Sequence, residues 1–133
     1  MRVVLDTHMW LWWLLPNSEL TDEERASLDQ VAAGRGMFLP AICQWEAQML
    51  HSKKRIVLPV PFSTWLRSAT ASNVLTVLPL SADAVIEVDQ LPTSFHGDPA
   101  DRMIVATARC YGLPLATNDY AIRKSRLAKI WKP

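Results

Sequence analysis

The sequence has few cysteines and no long hydrophobic run. Its two cysteines, Cys43 and Cys110, lie far apart, so neither a disulfide framework nor a zinc site of the usual spacing is expected. This cysteine usage is typical of a reducing compartment, and we expect a cytoplasmic protein. The longest apolar run, residues 9–15, is far shorter than the ~20 residues that a membrane span requires. We therefore expect no contact with a membrane.

Glycine and net charge are also scarce. The four glycines form no Gly-rich loop of the kind that cradles nucleotide phosphates. The formal net charge is only +1, so an anionic partner would have to be bound by local basic clusters. Two clusters are present, and we expect both to contact phosphate groups of such a partner without reading bases. Their members are Lys53, Lys54 and Arg55, and Arg123, Lys124 and Arg126.

The sequence does contain short apolar segments that alternate with amphipathic ones. Its 133 residues suit one domain with a hydrophobic core, and we interpret residues 1–133 as a single domain. The pattern predicts buried strands at 2–5, 37–39, 74–78 and 114–117 and a last short strand at 128–131. Helical segments between the strands predict an α/β fold, with a parallel sheet covered by helices on both sides.

Two acidic residues begin the helix predicted after residue 98. Asp98 is a favoured N-cap, Pro99 a favoured first helical residue, and Gly112 a natural end. Asp101 falls in the first turn, on the same face as the apolar Ile104. This pattern fits a capped helix whose acids bind backbone N–H groups. It also fits a divalent-cation site, for which two carboxylates at a helix N-terminus are suitable ligands.

Further carboxylates follow two predicted strands. Asp6 ends the first strand and Asp119 follows the strand at 114–117, with the Thr117 hydroxyl nearby. Sites in open α/β sheets collect beyond the carboxyl ends of the strands, so these side chains are expected to lie together. The alternative for both acids is a role as an N-cap or turn residue.

Glu46 falls among apolar residues of another predicted helix. At 100° per residue, Ile42, Trp45 and Met49 form the apolar arc, and Glu46 lies within it. A buried carboxylate must be neutral, paired with a cation or bound to a metal. A buried pair with an arginine is the alternative, and we favour the metal.

Converging carboxylates would repel one another unless a cation lay between them. An all-oxygen site of this kind suits Mg²⁺ or Mn²⁺, which lowers the pKa of a bound water and activates it toward a phosphodiester. A phosphatase with Asp6 as nucleophile is the less favoured alternative, because such enzymes usually carry a second Asp two residues later and this chain has His8.

Four segments of the sequence resemble PIN-domain ribonucleases, specifically VapC-type toxins of bacterial toxin–antitoxin pairs. They are LDTH at 5–8, WE at 45–46, DPADR at 98–102 with IVA at 104–106, and ATND at 116–119. The segments occur in the family's order, so the resemblance covers essentially the whole chain. Where relatives often carry serines before the Trp-Glu pair, this chain has Pro40 and Cys43.

The resemblance implies a three-layer α/β/α sandwich around a mostly parallel sheet, and an endoribonuclease that depends on Mg²⁺ or Mn²⁺. It further implies inhibition by a small VapB-like antitoxin, an RNA substrate for which transfer RNA is a candidate, and a homodimer or a toxin–antitoxin hetero-oligomer. The acidic quartet maps to Asp6, Glu46, Asp101 and Asp119, with Thr117 assisting and Asp98 as an additional candidate. The alternative function is that of an inactive PIN-like module that binds protein or RNA.

Three tryptophans in the apolar segment 9–15 are candidates for a partner interface. Trp10, Trp13 and Leu14 share one arc, which predicts that they pack inward, whereas Trp12 points elsewhere. An exposed aromatic patch commonly marks a partner surface. We expect Trp12 to contact the antitoxin or a second copy of the chain, the alternative being full burial within a monomer.

Overall fold

A computed structural model describes residues 1–95 and 97–133. The described chain forms a parallel sheet whose strands are β1 (Val3–Leu5), β2 (Met37–Pro40), β3 (Thr76–Leu78) and β4 (Leu115–Ala116). Its helices are α1 (Thr7–Leu14), α2 (Asp22–Ala33), α3 (Ile42–Ser52), α4 (Phe62–Ala69), α5 (Ala82–Gln90), α6 (Pro99–Tyr111) and α7 (Tyr120–Ser125). The predicted α/β class with a parallel central sheet is confirmed.

The strand order β3-β2-β1-β4 creates a crevice between β1 and β4. The chain proceeds from β1 through β2 to β3 in one direction, and β4 then returns to the other side of β1, pairing Leu5 with Ala116. Such a reversal leaves a crevice beyond the carboxyl ends of the two strands. The predicted strand at 128–131 is wrong, because Ile130 forms only an isolated bridge to Leu115.

Local capping fixes several helix ends where the sequence predicts them. Thr21 and Glu24 form the capping box that begins α2, and Asp98 with Pro99 begins α6. Gly112 ends α6 with a φ of 65°, a left-handed conformation that glycine adopts readily. Among the described helices, none combines the length and apolarity needed to cross a bilayer.

The faces that two helices turn toward the core differ from those predicted. In α3 the buried residues are Cys43 and Ala47, whereas Trp45 is 51% exposed. Small residues let α3 lie close to its neighbours β2 and α6, and its large residues remain at the margin. In α1, Leu11 is buried together with Trp10, whereas Trp13 and Leu14, predicted to pack inward, are half-buried and pack against the core.

Candidate active site

A cavity of about 180 Å³ lies at the carboxyl edge of the sheet. All five carboxylates that the sequence analysis singled out line it, although they come from widely separated parts of the chain. Its lining residues are Asp6, Thr7, His8, Glu46, Asp98, Asp101, Ile104 and Asp119. Thr7 and His8 were given no catalytic or metal-binding role from the sequence, although both belong to the LDTH segment that carries the family resemblance.

Three of the carboxylates are held in place because each caps a helix. Asp6, Asp98 and Asp119 are the N-caps of α1, α6 and α7. Each accepts a backbone N–H through Oδ1, from Met9, Asp101 and Ile122 at 2.8, 2.7 and 2.9 Å respectively. The capping interpretation is therefore confirmed for all three. Since capping occupies one oxygen of each carboxylate, it does not exclude a role as a metal ligand.

Glu46 is held by a hydrogen bond from a neighbouring helix. The Thr7 hydroxyl, at the buried start of α1, donates to Glu46 Oε1 on α3. Burial raises the pKa of Glu46, and the hydrogen bond from Thr7 partly offsets this effect. Thr7 thus fixes the acid even though Pro40 and Cys43 occupy positions where relatives often carry serines.

Thr117 connects the two acids that follow β1 and β4. Its hydroxyl oxygen accepts the backbone N–H of Asp119 at 3.0 Å, and its carbonyl accepts from the Arg123 guanidinium at 2.9 Å. Burial raises the pKa of Asp6 to about 6, while hydrogen bonds from the Thr117 hydroxyl and the Met9 N–H lower it. Asp6 is only 7% exposed, so its carboxylate has little water to stabilise its charge.

Asp101 shows most clearly that the acids act on one another. Burial, followed by the negative charges of Asp98, Asp119, Glu46 and Asp6, raises its pKa to about 7. A carboxylate with this pKa is partly protonated at neutral pH unless a cation compensates the charge. The cavity is therefore electrostatically suited to a positive ion.

The turn before α6 fixes the position of Asp101. A Cβ on Gly97 would lie 2.7 Å from Phe95 Cζ and 3.2 Å from Asp101 Cβ, so any larger residue there would have to displace the buried Phe95 ring. Arg102 donates to the Phe95 carbonyl at 2.8 Å, and its guanidinium carbon lies 5.8 Å from the centroid of the Phe95 ring. Phe95, itself buried, therefore anchors the first turn of α6.

The donors around the cavity fit a hydrated hard cation. Carboxylate oxygens suit Mg²⁺ or Mn²⁺ better than zinc, which prefers nitrogen and sulfur. Among the residues that the structure describes, no three His, Cys, Asp or Glu side chains lie close enough to form a three-ligand site. Mg²⁺ commonly binds through one or two carboxylates, several waters and a substrate phosphate. The residues available to hold it are Asp6, Glu46, Asp101 and Asp119.

A second cavity, of about 480 Å³, opens beside the first and is mainly apolar. We call it the α1 groove; it is lined by His8, Leu11, Trp12, Leu15, Pro16, Asn17, Leu50, Arg55, Ile56 and Val57. His8 lines both cavities, and its ring centroid lies 5.6 Å from that of Trp12. The groove and the acidic cavity therefore adjoin at His8.

The three tryptophans of α1 occupy different environments. Trp10 is fully buried, its ring centroid 5.2 Å from that of Trp65, and is not accessible to a partner in the folded chain. The Trp13 indole N–H donates to Asp29 at 2.9 Å. Of the three, Trp12 alone lines the α1 groove.

Comparison with known proteins relates this cavity to a family. The sequence profile of the PIN domain matches residues 3–126, a span that contains every carboxylate of the cavity. The chain belongs to the PIN domain family. A relative named Ribonuclease VapC22, from Mycobacterium tuberculosis (strain ATCC 25618 / H37Rv), is 36% identical over 124 residues, covering 93% of this chain and 92% of that protein.

Solved structures agree with the PIN-domain fold over nearly the whole chain. VapBC2 from Rickettsia felis, bound to a DNA fragment from their promoter, has a TM-score of 0.72 at 15% identity and covers 98% of both chains. FitAcB from Neisseria gonorrhoeae has a TM-score of 0.67 at 19% identity and covers 98% of this chain and 96% of that chain. At these identities the likeness establishes the fold, in agreement with the predicted α/β/α architecture.

Proposed function

We propose that this PIN-domain protein is a metal-dependent endoribonuclease of the VapC toxin type, hydrolysing RNA phosphodiester bonds. The observation that carries the proposal is the convergence of five carboxylates on one cavity, where burial and mutual repulsion raise the pKa of Asp101 to about 7. A protein has little reason to maintain such repulsion unless a cation compensates it in the working state. The relative named a ribonuclease supports RNA as the substrate.

In this proposal the Mg²⁺ or Mn²⁺ is held by carboxylates drawn from Asp6, Asp101 and Asp119, directly or through bound waters, and Glu46 completes the acidic quartet. When bound, such an ion supplies a water of lowered pKa and positive charge for the phosphodiester transition state. The chain's own residues position the acids: Thr7 orients Glu46, and the N-cap hydrogen bonds fix Asp6 and Asp119. Asp98 neighbours Asp101 and contributes negative charge.

The experiment that tests this function is cleavage of mixed cellular RNA by the purified chain, with the cut ends mapped. We expect cleavage in Mg²⁺ or Mn²⁺ and none in chelator. Asp101→Asn should reduce cleavage by at least about 100-fold, because it removes a ligand charge while keeping the side-chain shape. Asp89→Asn, an exposed acid of α5 outside the cavity, is the matched control and should cleave like wild type.

Two results would contradict the assignment. Full activity of Asp101→Asn would show that the site is misplaced. RNA binding without cleavage in any divalent metal, unchanged in Asp101→Asn, would favour the inactive binding module.

We further propose that the α1 groove binds a VapB-like antitoxin. A free ribonuclease would damage its host, so an inhibitor that covers the cavity is required, and the groove meets the cavity at His8. Its apolar lining and the half-buried Trp12 suit an apolar segment of a protein partner.

A further inference from the structure

Two exposed aromatic residues are next in sequence to acids of the cavity. Among the described Trp, Tyr and Phe residues, three are exposed: Trp45 by 51%, Tyr120 by 75% and Tyr111 by 40%. Single exposed apolar residues are normal on protein surfaces and need no explanation. What distinguishes two of these three is their position beside acids of the cavity.

Trp45 and Tyr120 are chain neighbours of cavity acids on two independent helices. Trp45 precedes Glu46 on α3, and Tyr120 follows Asp119 at the start of α7. Neighbouring Cα atoms lie about 3.8 Å apart, so the backbone of each aromatic residue adjoins that of a cavity acid, while both rings lie outside the cavity lining. Tyr111 lies at the opposite end of α6 from Asp101, roughly 15 Å along the helix axis.

The charge around Tyr120 also suits a nucleic acid. Lys124, one turn later on α7, places Nζ 5.8 Å from the centroid of the Tyr120 ring. A cation beside an exposed ring can contact a phosphate while a base stacks on the ring, an arrangement typical of single-strand binding.

We propose that Trp45 and Tyr120 are base-stacking residues that hold unpaired nucleotides on either side of the phosphate to be cleaved. This stacking proposal rests on the proposed function. It adds that the bases flanking the cut must be unpaired and unstacked before the two rings can bind them. Every base has a π-face, so these contacts increase affinity with little sequence preference.

The test measures binding of a single-stranded RNA oligonucleotide that spans a mapped cut, by fluorescence anisotropy in Mg²⁺. All proteins carry Asp101→Asn so that the RNA survives. We expect Trp45→Ala and Tyr120→Ala each to weaken binding by about 5-fold to 100-fold, the range for one lost base–aromatic stack. Trp45→Phe and Tyr120→Phe should recover most of the affinity, and Tyr111→Ala should bind normally. Because no charge is removed, the salt dependence should not change.

An abasic nucleotide beside the cut provides the decisive control. If a ring stacks on that base, the abasic RNA should bind the parent protein and the alanine variant equally weakly. The proposal is overturned if both alanine variants bind within twofold of the parent, or if they lose affinity equally for abasic and intact RNA. It is also overturned if sedimentation shows that they change the assembly of the protein, since the rings would then contact another protein chain.

These outcomes are separable from failure of the proposed function. If the wild-type chain cleaves RNA and the alanine variants bind it normally, only the stacking proposal fails. If the wild-type chain neither binds nor cleaves RNA in Mg²⁺ or Mn²⁺, the proposed function fails first.

Discussion

At the scale of single residues, the hydrogen bond between Thr7 and Glu46 distinguishes two explanations of a half-buried acid. A partner cation would make Glu46 part of a buried ion pair. Within the described chain, however, the one ion pair closer than 4.0 Å joins Arg109 to Glu87, far from the cavity. Glu46 instead receives a neutral donor, which leaves its charge available to a metal.

We therefore expect Glu46→Gln to lose RNA cleavage by at least about 100-fold and to remain folded, within about 1 kcal/mol of wild type. Glutamine can still accept the hydrogen bond from Thr7, and no buried cation is left unpaired. Thr7→Ser should keep activity, whereas Thr7→Val should lower it by removing the donor. Cleavage rates and denaturant melts with and without Mg²⁺ measure both effects. A stability loss of about 3–5 kcal/mol that Mg²⁺ does not change would instead support a buried ion pair.

At the scale of helices and strands, the prediction concerns the α1 groove as the binding surface for the antitoxin. Trp12→Ala should weaken binding of the VapB-like antitoxin by about 2–4 kcal/mol, because a large aromatic anchor is removed. Cleavage by the free protein should stay nearly intact, since Trp12 does not line the acidic cavity. Calorimetric titration and an RNA cleavage assay measure the two effects.

Trp45→Ala is the matched control, because this tryptophan is exposed outside the groove. It should leave antitoxin affinity unchanged. A Trp12→Ala protein that binds its antitoxin undiminished, or that misfolds alone, would contradict the groove assignment.

Helix ends were predictable from sequence, whereas the buried face of α3 was not. Asp98 and Pro99 fix the start of α6 through contacts within one turn, and a local pattern contains that information. The buried side of α3 depends on which neighbours approach it, and small residues such as Cys43 determined the approach rather than Trp45. The sequence of α3 alone does not determine which of its sides the neighbouring elements cover.

The site was also predictable only in part, because local patterns identify its acids but not the contacts that hold them in place. Carboxylates at strand ends and helix starts predicted a shared cavity, because the geometry of a parallel sheet brings those positions together. The bond from Thr7 to Glu46 spans 39 residues of sequence and requires the packed positions of two helices. The sequence pattern therefore identified the acids and missed the residue that orients one of them.

At the scale of the whole molecule, the acids make stability depend on pH. Folding moves the pKa of Asp6 from 3.8 to about 6 and that of Asp101 from 3.8 to about 7, so the folded state binds more protons than the unfolded state in this range. The free energy of unfolding should therefore fall as the pH rises from about 4 to 7. For Asp6 alone, raising the pKa from 3.8 to about 6 makes ionisation of the carboxyl group about 3 kcal/mol less favourable in the folded state than in the unfolded state.

We expect the metal-free protein to melt several degrees higher at pH 5.5 than at pH 8, and Mg²⁺ to remove most of this difference by stabilising the ionised acids. Asp101→Asn should flatten the metal-free profile, whereas Asp89→Asn should not. Thermal melts in chelator and in Mg²⁺ at both pH values provide the measurement. A metal-free protein that is more stable at pH 8 would refute the electrostatic description of the cavity.

The strand order also determines when the protein can become active during its synthesis. β1 is made before β2 and β3, yet its second neighbour in the sheet is β4, which leaves the ribosome after the other described strands. Until β4 and the residues after it emerge, one edge of β1 is unpaired and Asp119 has not yet joined the cavity. Parallel pairing between distant segments is also slow to form. Under the proposed function, a nascent chain is a harmless nuclease precursor until β4 and Asp119 have been translated, and this interval gives an inhibitor time to bind.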